Sequence, residues 1–173
     1  APENKDAVAL YASVLYITER YDEALTEYRH ALSIDQQDID AWTQMIAIYS
    51  DKGNWSEVVN TGKEASRVLP ANAILYFYTG MGYLRSKQPD SSIMYFSKSL
   101  TLEKDLNMQA QCHALMGEAW HAMGDFARSD TAYMEAIRMQ PSDAMTLNNY
   151  AYYLSIRGER LEEAEKMSKK SLK

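Results

Sequence analysis

Apolar residues along the chain fall on the period of a helix and never on that of a strand. Trp42, Met45, Ile46 and Tyr49 occupy i, i+3, i+4 and i+7, one face of a helix that ends in Asp51-Lys52-Gly53-Asn54. Asn54 then stands as an N-cap with Glu57 three residues on, a capping-box spacing. The helix it opens runs through Val58, Val59 and Ala65 until Pro70 stops it. The same order returns as Gly117, Trp120, the Gly124-Asp125 turn, Ala132, Tyr133, Ala136 and Pro141. Between them a turn without glycine uses Gln88-Pro89, with Pro89 suited to a first helical position. Alternation of period two never persists, so the predicted class is all-α.

The pattern is also periodic on a longer scale. Trp42 and Tyr76 lie 34 residues apart, as do Tyr49 and Tyr83, and Ala31, Ala65 and Ser99 form a column at that spacing. Gly80 to Gly117 is 37, and Gly117 to Ala151 returns to 34, which places a three-residue insertion within Asp105–Gln109. A late slip aligns Ser129 with Ala164 at 35. Five units result, about 5–38, 39–72, 73–109, 110–143 and 144–173, each with two helical stretches. No linker or composition break divides them, so residues 1–173 are expected to form one continuous array of about ten helices.

The columns resemble the tetratricopeptide repeat over nearly the whole chain. The second unit reads Trp42, Ile46, Tyr49, Trp55, Val58, Ala65, Pro70, and the fourth His113, Gly117, Trp120, Phe126, Ser129, Tyr133, Ala136, Pro141. The first reads Val8, Ala12, Leu15, Tyr21, Ala24, Tyr28, Ala31; the third Tyr76, Gly80, Tyr83, Pro89, Ser92, Phe96, Ser99; the fifth Leu147, Ala151, Leu154, Leu161, Ala164, Ser171. Small residues such as Ala12, Gly80, Gly117 and Ala151 let helix backbones approach while aromatics fill the flanks. Each buried aromatic contributes ~1.5–3 kcal/mol, too little for one helix pair alone, so neighbours must stack. The resemblance implies a right-handed α-solenoid, a superhelix that works as a protein-interaction scaffold and not as an enzyme.

Two departures carry expectations. Gly62 stands where the family prefers an aromatic, which predicts local looseness in the second helix of that unit. The chain stops at Lys173 without a polar capping helix, as expected of a segment of a longer array or an end covered by a partner. The resemblance also implies a concave groove lined by the first helix of each unit. By that register it holds Tyr16, Thr43, Ala47, Phe77, Met81, Leu84, Arg85, Glu118, His121, Asn148 and Tyr152, with an apolar middle at Phe77, Met81 and Leu84. The carboxylate clamp of one subset is absent, since its places carry Ala9, Ser13 and Gln44 in one register and Phe77, Met81 and Leu115 in another.

Charge and candidate chemistry narrow the field further. The net charge of −6 resides in residues 1–72, with six Lys/Arg against twelve Asp/Glu; the remainder balances at twelve of each. An acidic chain repels phosphate backbones, so no nucleic acid partner is expected. No stretch of eighteen apolar residues is present to span a membrane. Four lysines among residues 166–173 read as cations at a helix end. Glu27/His30 and Glu118/His121 have metal-ligand spacing, but helices three units apart place the pairs on the order of 25 Å or more from each other. Cys112 and His113 point about 100° apart on a helix and cannot form a nucleophile–base pair. Cys112 reads as a buried small residue and His113 as packed core; no catalytic residue, metal site or cofactor is expected.

The leading expectation is a scaffold that binds a protein or peptide in the groove. The alternative is a spacer or oligomerisation segment of a larger protein with no free groove ligand, self-associating through its C-terminal helix. The stretch Leu147 to Leu154 with Leu161-Glu162-Glu163-Ala164 resembles bacterial repeat proteins, many of them lipoproteins. With a start that lacks Met, as of a processed end, this favours the periplasm or cell envelope over the cytoplasm.

Overall fold

The computed structural model of the chain describes residues 4–172. Among them lie ten α-helices and no strand: α1 (Lys5–Ile17), α2 (Tyr21–Ile34), α3 (Ile39–Asp51), α4 (Trp55–Val68), α5 (Ala73–Arg85), α6 (Pro89–Leu102), α7 (Leu106–Ala122), α8 (Phe126–Met139), α9 (Ala144–Arg157) and α10 (Leu161–Ser171). Contacts gather them into two compact units, Ala1–Lys87 and Gln88–Lys173, parted at the turn between α5 and α6. In the first unit α1/α2 and α3/α4 form hairpins and α5 packs on α4; in the second α6 packs on α7, and α7/α8 and α9/α10 form hairpins.

Local chemistry starts and stops each helix. Odd-numbered helices open on Asn4, Asp38, Asn72, Asp105 and Asp143, whose side chains accept from backbone N–H groups of the first turn. Each such cap contributes about 1 kcal/mol. Inside the repeats the turn needs one left-handed residue, and it recurs at the repeat spacing: Glu19 (φ 61°), Gly53 (66°), Lys87 (58°), Gly124 (79°) and Gly158 (70°). Glycine adopts that backbone freely; Glu19 and Lys87 hold it at a cost on the order of 1 kcal/mol each. The three-residue insertion enters the start of α7, which has 17 residues against 13 in α1, α3 and α5. The fourth first-helix therefore begins at Leu106, ahead of the boundary read at 110. The late extra residue lies in the last turn, where Arg160 is also left-handed at φ 47°.

Packing within each unit follows the small-against-large logic of the columns. In the first, Ala12, Leu15, Ala24, Tyr28, Met45, Ile46 and Leu75 are buried together. Two residues of the large column also tie helix starts to the preceding loop: Trp42 Nε1 donates to the Gln36 carbonyl (2.9 Å) and Tyr76 Oη to that of Pro70 (3.0 Å). In the second unit the core is built on Tyr133, Leu147, Tyr150, Leu154 and Met167. Tyr133 and Tyr150 stack with centroids 5.0 Å apart and planes 13° from parallel. A Cβ added to Gly117 would lie 2.6 Å from the Tyr133 ring, so the bare backbone is what admits that ring.

Gly62 corrects the expectation of looseness. Helix α4 runs unbroken through it, the residue is buried, and a Cβ there would collide with the Thr79 hydroxyl of α5. The missing aromatic is replaced by close approach of the following helix. Gly82 repeats the device in reverse: its Cβ would lie 2.8 Å from Val58 Cγ1 and 3.0 Å from Val59 Cγ2 of α4.

Candidate partner-binding surface

The groove register falls on the first helices α1, α3, α5, α7 and α9, and each unit presents its own part. In the first unit Tyr16, Thr43, Ala47 and Met81 are half-buried, flanked by buried Leu15, Trp42, Ile46 and Gly80. Tyr16 bridges α1 to α3, its hydroxyl donating to the Asp51 carboxylate at 2.7 Å. That hydrogen bond, with burial behind it, pushes the Tyr16 phenol up to about 12. Thr43 turns its hydroxyl back to the Ile39 carbonyl (3.0 Å). Arg85 is exposed in the last turn of α5.

Phe77 and Leu84 depart from the expected apolar middle. Both are 7% exposed and belong to the buried core, so neither has appreciable area to offer. Met81 alone of that trio keeps a partly open side chain. The periodicity placed all three beside the core stripe but did not fix how far the packing on α5 extends around the helix.

In the second unit Glu118 is half-buried, while Asn148 and Tyr152 are exposed, Tyr152 by 58%. His121, expected as a polar handle, is held by rings instead: its centroid lies 4.0 Å from Tyr153 and 5.2 Å from Phe126. Its Nε2 is buried and makes no hydrogen bond. Asn148 and Tyr152 line an open socket of about 390 Å³ between α9 and α10, together with Ala151, Ser155, Leu161, Ala164, Glu165 and Ser168. The sequence reading missed Ser168. The signal was present: with the one-residue slip, Ser168 falls in the column of Tyr28, Phe96 and Tyr133, a small residue where a ring usually stands.

Beside His121 lies a buried charge cluster. Arg157, with a side chain 5% exposed, donates from Nη2 to Asp130 at 2.6 Å, and its guanidinium sits 5.0 Å from the Phe126 ring centre. Its Nη1 is buried without a hydrogen-bond partner. Arg160 Nη1 donates to the Tyr150 hydroxyl (2.7 Å), a phenol pushed up to about 12, chiefly by burial. Cys112 is fully buried with Sγ 3.7 Å from Ser99 Oγ, and burial pushes its thiol up to about 11. Among the described residues no group of three or more His, Cys, Asp or Glu is placed to hold a metal ion, and no helix is long and apolar enough to cross a membrane.

The histidines of α7 give a pH dependence with a definite sign. Burial holds both His113 and His121 below the usual 6.5, with Arg138 and Arg157 adding to the shift. The unfolded chain takes up these protons at a higher pH than the folded one. Stability from the neutral rings is therefore complete above 6.5 and declines as pH falls below it. The urea midpoint of the chain is expected to drop on going from neutral to mildly acidic pH, before carboxylates titrate. A His113→Gln/His121→Gln variant should show a flatter profile over that interval; an unchanged slope would remove the histidines from the account.

Paired helices with small-residue contacts, capped at a fixed interval, define a helical-repeat scaffold. The chain belongs to the tetratricopeptide repeat family: models of that repeat match residues 6–38, 110–143 and 132–166. It is 22% identical over 172 residues to BBSome complex member BBS4 of Bos taurus, matching 98% of this chain and 33% of that protein. The chain thus spans about a third of that relative's length. Among solved structures it is similar to MamA of Desulfovibrio magneticus RS-1, with a TM-score of 0.83, 14% identity and 99% and 96% of the two chains covered. It is also similar to YrrB, described as a TPR protein with an unusual peptide-binding site, at a TM-score of 0.71, 19% identity and coverage of 95% and 83%. At these identities the likeness shows the fold, an all-α tetratricopeptide solenoid. Such repeats form a protein–protein interaction scaffold, a non-enzymatic class of fold.

Proposed function

We propose that this chain holds a segment of another protein on the first helices of its repeats, through apolar and uncharged contacts. One observation carries the reading. Tyr16, Thr43, Ala47 and Met81 stay partly open while Leu15, Trp42, Ile46 and Gly80 beside them on the same helices are buried, and none of the four open side chains is a charged one. A strip of that kind suits an extended peptide or the apolar face of a helix. The printed description of YrrB as peptide-binding supports the reading by analogy of fold.

Selection from a random peptide library tests it, with the Ala47→Glu/Met81→Glu variant as counter-screen. Peptides enriched on the wild type are expected to lose at least about tenfold in affinity on the variant, since each buried charge costs more than 1.4 kcal/mol. Enriched peptides that bind both proteins equally would move the site off the first helices. The alternative, a self-associating segment, rests on other surfaces.

A further inference from the structure

We infer that the segment held on the first unit is cationic, with Lys or Arg side chains seated on Asp40 and Asp51 at the two ends of α3. The assignment rests on the first-helix strip proposed above as the holding surface. Helix α3 lies inside the unit, tied to α1 by the Tyr16–Asp51 hydrogen bond and in contact with α5 on its other side. Along it Asp40, Thr43, Ala47 and Asp51 follow at spacings of three and four residues, which is one stripe of a helix. The middle of that stripe, Thr43 and Ala47, is half-buried and uncharged, and both ends are exposed carboxylates. On α1, Asp6 stands in the repeat register of Asp40 and is exposed as well.

Internal pairing leaves this face negative. Lys5 is held by Asp35 (3.0 Å) and Asp38 (3.5 Å), and Lys52 by Asp22 of α2 (2.7 Å), so the cations next to Asp6 and Asp51 in sequence are drawn elsewhere. Among the described residues neither Asp6 nor Asp40 has a cation within 4.0 Å. Acids on the second helices differ: Glu23 pairs with Arg20 at 2.6 Å and Glu64 with Arg29 at 4.0 Å. On α4, Lys63 and Arg67 have no carboxylate within 4.0 Å among the described residues. The Tyr16 hydroxyl engages only Oδ2 of Asp51 and ties that carboxylate to the strip, while exposed Arg85 stands across α3 on α5. An uncharged segment lying on the strip would strip water from Asp40 and Asp51 without compensation; basic side chains at its ends supply the counter-charge. Asp40 and Asp51 are eleven residues apart, roughly 16 Å along a helix axis, which an extended peptide covers in about five residues. The matching segment therefore carries two basic residues about five positions apart, with apolar or uncharged residues between them.

Peptides selected on the whole chain from a random library test this, with affinities read by fluorescence anisotropy. Enriched sequences are expected to carry two or more Lys or Arg and to bind Asp40→Asn/Asp51→Asn about fivefold more weakly, the combined effect of two partly exposed charge pairs. Asn keeps the size of Asp and an acceptor for Tyr16, and far-UV circular dichroism checks that the variant stays helical. Binding to the wild type should also weaken at least about threefold when salt rises from about 50 to about 500 mM. The sign of the charge gives a further readout. Ala47→Arg/Met81→Arg should lose more affinity than Ala47→Glu/Met81→Glu, because only the first also repels a cationic segment. Peptides without basic residues, bound alike by the wild type and Asp40→Asn/Asp51→Asn yet lost on Ala47→Glu/Met81→Glu, would overturn the cationic assignment and leave the groove as the site. Basic peptides indifferent to the two Asp substitutions would overturn it as well, by placing their site elsewhere. Peptides that bind every variant like the wild type, or no enrichment at all, would remove the groove and this assignment together.

Discussion

Tyr133→Ala is expected to lower the unfolding free energy by about 3–5 kcal/mol, the range for removing a large buried ring. The ring is 1% exposed, stacked on Tyr150 at 5.0 Å, and seated against the bare backbone of Gly117. Against a total stability on the order of 5–15 kcal/mol the loss is large, and it reads out as a fall in the urea midpoint at unchanged slope. The seating makes a sharper test than the size. Gly117→Ala alone drives a methyl to 2.6 Å from the ring and should destabilise by about 1–2 kcal/mol, overpacking outweighing the gain in helix propensity. In the Tyr133→Ala background the same methyl enters free space, and its helix propensity should then stabilise by up to about 1 kcal/mol. If Gly117→Ala costs the same in both backgrounds, close approach is not what the glycine is for.

The second large effect concerns Arg157 and Asp130. Asp130→Ala leaves a guanidinium, 5% exposed and with Nη1 already unpartnered, without its 2.6 Å carboxylate. Orphaning a charge this deeply costs about 3–5 kcal/mol, toward the lower end here because Asp130 is 21% exposed and Glu159 stands 3.4 Å from Nε. Arg157→Met removes the charge itself and keeps apolar contact with Phe126, so it should cost less than Asp130→Ala. The double variant is expected to be more stable than Asp130→Ala alone by at least about 1 kcal/mol. Chemical denaturation of the four proteins gives the coupling directly. A double variant less stable than either single would mean that Arg157 holds the α8–α9 region by packing and not through its charge pair.

The two predictions divide along the line between what the chain spells out and what only packing sets. Helix positions, turn positions and repeat columns were legible because each depends on residues within one or two turns: the Asn54 cap, the turns at Gly53 and Gly124, Pro89 at a first position. Gly117 against Tyr133 was legible as well, since small and large columns recur at a fixed interval. Burial around the helix circumference was not. Phe77 and Leu84 sit one step from the core stripe and are buried, Met81 is at the same step and partly open, and His121 is enclosed by rings from neighbouring elements. The Arg157–Asp130 pair joins residues 27 apart in sequence, and no local pattern announces it.

Gly62 shows the same division at one residue. By itself it read as a defect, because a glycine weakens an isolated helix by about 1 kcal/mol. In the fold it is the point where α5 comes close enough for Thr79 to fill the missing ring's place. By itself the sequence determined the class, the repeat and the family, because helical period and cap chemistry act over a few residues. Only the tertiary structure decided which side chains remain as surface, because exposure is a property of the neighbouring helix.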